Sequence, residues 1–137
     1  MALFSVFDDM GESETPSFLR IYDSLHPELK RLLDEVSKYF DIALIAGYRE
    51  NEENEELPET KRTRKKHAVM PSQAVDMLPY PINRDNRVQI AYLAGHMRMC
   101  ARMLGIGIAW GGDLEDIELI SGELKNNSYV HHFELVF

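Results

Sequence analysis

"KKHAVMPSQAVDMLPYP", Lys65 to Pro81, is the stretch on which the reading of this chain turns. Its second half, Ala74-Val75-Asp76-Met77-Leu78, has the short apolar run of a buried strand. Asp76 interrupts that run with a carboxylate. On a strand, Ala74, Asp76 and Leu78 share one face and Val75 and Met77 the other. A buried acid is costly unless a charge partner or a metal compensates it. Asp76 therefore needs either a nearby Lys or Arg or a bound cation.

The last strand expected from the sequence, "YVHHFELVF" from Tyr129 to Phe137, alternates in the same way. His131, Phe133, Leu135 and Phe137 fall on one face, which reads as core. His132 and Glu134 fall on the other, the face suited to meet Asp76. His67 precedes Asp76 by nine residues, across a loop containing Pro71. Two imidazoles and one carboxylate form a donor set suited to a catalytic zinc ion with a fourth position open. Each residue alone is an ordinary one; the three together raise a metal-site reading.

Outward from these segments, Ser17 to Leu25 reads as a short helix with Ser17 as its cap. His26 to Phe40 reads as an amphipathic helix, with Pro27 in its first turn and Leu29, Leu32, Leu33, Val36 and Phe40 on one face. Ile42 to Ala46 is a short buried strand ended by Gly47. Asp85 is the expected cap of the longest helix, which ends before Gly105 and carries an apolar stripe of Ile90, Leu93, Ala94, Met97, Cys100 or Ala101, and Leu104. His96 on that helix reads as a surface or boundary residue. Ile106 to Trp110 is a third strand and "WGGD" a turn. The order indicates an α+β fold, a small and mainly antiparallel sheet flanked by helices. One domain over 1–137 is expected, with 1–16 as an N-terminal extension.

The chain has 45% hydrophobic and 28% charged residues, a soluble globular composition. Its formal net charge of −8 argues against nucleic acid as a partner. The acidic run 50–59 adjoins the basic run 61–66, and the pair reads as a self-compensating solvated loop or as a loop beside a site for an anionic polymer. Cys100 is the single cysteine, so neither an intrachain disulfide nor a cysteine zinc site is possible. No membrane span is expected. The N-terminus lacks a signal-peptide pattern, so synthesis in a bacterial cytoplasm and delivery by other means are expected.

From about Phe18 to Phe137, the segments "HPELKRLLDEV", "GYR", "KKHAVMPSQAVDMLPYPI", "LGIGIAWGGD" and "HHFEL" resemble the zinc D-alanyl-D-alanine carboxypeptidase family, in its small phage endolysin-like branch of L-alanyl-D-glutamate peptidases. The resemblance implies a hedgehog/DD-peptidase-like fold, one zinc ion on His67, Asp76 and His132, and hydrolysis of peptidoglycan stem peptides. It implies that Arg49 stabilises the developing oxyanion and that Ser72 and Asn54 touch substrate, Asn54 standing where the family carries Gln. Lys65 stands where the family usually has Ser. The larger departure is Tyr129, which occupies the place of the family's catalytic Asp or Glu, three residues before the last histidine; counting from His131 gives Ser128. A phenol with pKa near 10 is a poor base at neutral pH. Two expectations follow: a slow zinc peptidase acting on the cell wall, or a catalytically inactive zinc-binding subunit of a phage virion, partnered by other virion proteins in tail or capsid.

Overall fold

A computed structural model of the chain describes residues 3–5, 17–49, 66–114 and 130–137. The elements are β1 (Leu3–Ser5), α1 (Ser17–Asp23), α2 (Pro27–Val36), β2 (Ile42–Ala46), β3 (Ala74–Pro79), α3 (Arg87–Leu104), β4 (Ile108–Trp110), α4 (Gly111–Leu114) and β5 (His132–Leu135). The fold is α+β, as the sequence order indicates. The strands form a sheet in the order β1-β2-β3-β5-β4. The pairs β2–β3, β3–β5 and β4–β5 are antiparallel, and β1 runs parallel to β2 along the edge.

Both long helices bury most of the face that periodicity marks, but α2 stops at Val36 with Ser37 as its C-cap, so Phe40, expected on that face, packs from beyond the helix end. Leu29, Leu32, Leu33 and Val36 of α2 and Ile90, Leu93, Ala94, Met97, Cys100 and Ala101 of α3 pack on Ile42, Leu44, Val75, Met77, Phe133 and Leu135 of the sheet. Pro27 starts α2, where its missing N–H costs nothing, and the His26 Nδ1 accepts from the Glu28 amide at 3.1 Å. Gly105 ends α3 in the left-handed region at φ 72°. Arg31 ties the two helices together by donating to the Leu104 carbonyl at 2.8 Å. His96 is half-buried, with its ring against Tyr39 and Phe40.

Three expectations change. The N-terminal extension contributes a strand, β1, because its backbone finds the open edge of β2. The cap of α3 is Asn86, whose Oδ1 accepts from the Gln89 amide at 3.2 Å; Asp85 lies one residue too early. The "WGGD" segment enters a helical turn, α4, in place of a simple turn. A Cβ on Gly112 would lie 2.5 Å from the Trp110 ring, so glycine lets the chain fold back over the indole. The acidic run and residues 61–65 of the basic run fall outside the described residues.

Candidate metal centre

Strand register brings the site together. In the β3–β5 ladder Asp76 lies directly opposite His132, and opposed residues in an antiparallel pair share a face. Ala74 and Ala109 both pair with Glu134, so small neighbours leave room for its carboxylate. On the other side of β3, the β2 register shifts between Leu44 and Ala46, and Ala46 meets Asp76. The chain beyond this bulge carries the Gly47 carbonyl to His67.

His67, Asp76 and His132 are buried and form a group able to hold a metal ion. His67 Nε2 lies 3.2 Å from Asp76 Oδ1 and 3.2 Å from His132 Nδ1. His132 Nδ1 lies 3.1 Å from Asp76 Oδ1. Three donor atoms thus make a nearly equilateral triangle. Donors about 2.0–2.1 Å from a tetrahedral ion stand about 3.3 Å apart, so the triangle has the dimensions of one face of such a site.

Outer partners orient both imidazoles. His67 Nδ1 is 2.7 Å from the Gly47 carbonyl, which only accepts, so Nδ1 carries a hydrogen and Nε2 points inward. His132 Nε2 donates to Glu134 Oε1 at 3.1 Å, which leaves Nδ1 facing Asp76. Burial disfavours the Asp76 carboxylate, but hydrogen bonds with His132 and His67 outweigh it and hold its pKa far below the usual range. Burial likewise disfavours charge on His132. Its hydrogen bonds to Asp76 and Glu134 prevail and raise its pKa to about 9. A proton on His132 relieves one side of the triangle; a divalent cation relieves all three.

The other carboxylate oxygen faces the mouth. Asp76 Oδ2 lies 3.5 Å from Arg49 Nη2 and 3.8 Å from His131 Nε2. Arg49 is held there by its own amide, which donates to the His67 carbonyl at 2.9 Å. The sequence reading put His131 on the core face. It precedes β5 in a turn, where strand alternation does not apply, and it reaches the site. Glu134 shares a strand face with His132 by its two-residue spacing, and its bond to the ring runs along that one strand.

Ser72 is fully buried. Its hydroxyl donates to the Ala74 carbonyl at 2.7 Å, and its backbone joins the α1–α2 junction through Ser24 and His26. That geometry pins the loop leading into β3 and lends no support to a substrate contact. Asn54 and Tyr129 lie outside the described residues, as does Lys65.

No described helix is long and apolar enough to cross a membrane. The chain matches no protein-family model and no curated protein. Among solved structures it is similar to the L-Ala D-Glu endopeptidase ChiX of Serratia marcescens, with a TM-score of 0.65 and 22% identity over 99% of this chain and 91% of that one. At that identity the likeness establishes the fold: this chain is built as that peptidase is built.

Proposed function

We propose that the protein is a zinc-dependent peptidase of bacterial cell-wall stem peptides, of phage origin. The convergence of His67 Nε2, Asp76 Oδ1 and His132 Nδ1 within 3.2 Å, each imidazole oriented from behind, carries this reading. The fold shared with an L-Ala D-Glu endopeptidase supports the substrate class. Zinc supplies Lewis acidity toward a carbonyl and water activation near neutral pH when bound.

The chain's residues do the remaining work. His67 and His132 present lone pairs held by Gly47 and Glu134. Asp76 adds the negative charge that favours a divalent ion. Arg49, beside Asp76 at the mouth, stabilises negative charge developing on the scissile carbonyl oxygen. Tyr129 at the place of the family's acid makes turnover slow, since general acid–base catalysis is worth about 10²–10⁴-fold. No observation among the described residues favours the inactive virion subunit.

Metal analysis of the purified protein, joined to muropeptide release from purified peptidoglycan, tests the proposal. About one zinc per chain and slow release, rising by about 10²-fold or more in Tyr129→Asp, are expected. A protein that takes up no metal when zinc is supplied refutes the zinc site. Absence of cleavage by both forms refutes the peptidase.

A further inference from the structure

A cavity of about 320 Å³ opens where β3 gives way to the approach to α3. It is lined by Pro79, Tyr80, Pro81, Asn83, Asn86 and Gln89. Asp76 to Pro79 is three strand residues, so the cavity begins about 10 Å along β3 from the metal group.

The lining has a particular chemistry. Two proline rings and the half-exposed Tyr80 ring give apolar surface. Three carboxamides give neutral donors and acceptors. Arg84, Asp85 and Arg87 interrupt these amides in sequence but do not line the cavity. The amides are set in place locally: Asn83 Oδ1 accepts from the Asp85 amide at 3.0 Å and Asn86 Oδ1 from the Gln89 amide at 3.2 Å. With the Asn83 and Asn86 oxygens so engaged, their NH₂ groups and the exposed Gln89 carboxamide are placed to meet a ligand. Flat apolar surface beside uncharged amides suits a ring with carbon–hydrogen faces and equatorial hydroxyls. A charged ligand would find no counter-ion among the lining side chains. The volume lies at the small end of ligand sites, enough for one sugar ring.

We infer that this cavity is a saccharide subsite that holds one neutral, N-acetylated hexose unit. The inference deepens the proposed function and rests on it for the source of the ligand, because stem peptides are joined to a glycan of such sugars. Tyr80 and the prolines stack on the ring, and Asn83, Asn86 and Gln89 bind its hydroxyl and acetamido groups. The subsite places the glycan while the peptide reaches the metal group.

Titration of the ¹⁵N-labelled full chain with the N-acetylglucosamine trimer tests this without any turnover. Saturable shifts at Tyr80, Asn83, Asn86 and Gln89 are expected, with a Kd on the order of 1 mM and little salt dependence. Gln89→Ala keeps a good helix former at an exposed position. It is expected to weaken binding about fivefold, as loss of one neutral hydrogen bond does, with zinc uptake unchanged. Tyr80→Ala should weaken it at least as much. The subsite is overturned by any of three results: no saturable shift up to about 20 mM trimer, shifts that map elsewhere, or displacement by inorganic phosphate, which would mark an anion site. A chain that cuts stem peptides without these shifts loses the subsite and keeps the peptidase. One that binds the trimer and takes up no zinc does the reverse.

Discussion

At the residue scale, Glu134 stands behind one of the three candidate donors, His132. Its carboxylate is buried and meets His132 Nε2. Glu134→Gln can still accept that hydrogen bond but lacks the charge. Outer partners of this kind are worth about 10–100-fold in metal affinity, so zinc competition against a chromophoric chelator should show a loss of that order. Unchanged affinity would mean that Glu134 does not tune His132. A second residue-scale prediction concerns Tyr22, whose hydroxyl donates to Asp34 Oδ1 at 2.7 Å. Burial, then the bond to Asp34, pushes the phenol up to about 12 from 10. A raised folded pKa means stabilisation that is complete below pH 10 and lost as pH rises through 12. The pair is partly solvated, so Tyr22→Phe should cost no more than about 1 kcal/mol at pH 8. Denaturation of both proteins across this pH range should show their difference shrinking above pH 10; a constant difference would assign the effect to packing.

At the element scale, α3 presents two apolar faces with different consequences. Met97 is fully buried between the helices and the sheet, whereas Met103 is 75% exposed. Met97→Ala should cost about 2–5 kcal/mol through lost burial and a residual cavity, and Met103→Ala no more than about 0.5 kcal/mol. Urea denaturation of the two variants decides it, and equal costs would mean that Met103 is covered in solution. The sequence pattern located the buried face of α3 because helical periodicity follows directly from residue spacing. It missed the cap by one residue, since Asp85 and Asn86 are both good caps and only the path of the chain selects between them. It missed β1 because a three-residue strand has no periodicity of its own; it exists where the edge of β2 offers hydrogen bonds.

At the scale of the whole molecule, a metal bound to the candidate group would lie between β3, β5 and the segment before β3 and cross-link the fold. Binding to the native state alone stabilises by about 4 kcal/mol at a thousandfold excess over Kd. For a chain of this size, that is a shift of about 10 °C or more in Tm. Thermal unfolding with zinc and then with chelator should differ by that amount, and His67→Ala should abolish the difference. A Tm indifferent to zinc in the native chain would contradict a metal site that bridges these elements.

The sequence by itself determined the α+β class, the core-facing stripes of both long helices, the central strands and the candidate donor group His67, Asp76 and His132. These are carried by local spacing and by residue chemistry, which folding does not change. Tertiary structure decided what depends on register and chain path. It set Asp76 opposite His132, directed the Gly47 carbonyl and Glu134 onto the two imidazoles, and drew His131 and Arg49 to the free oxygen of Asp76. All of these but the Glu134–His132 contact, which runs along β5 itself, join residues distant in sequence. Their distances are fixed by strand pairing and by the β2 bulge, which no single segment encodes.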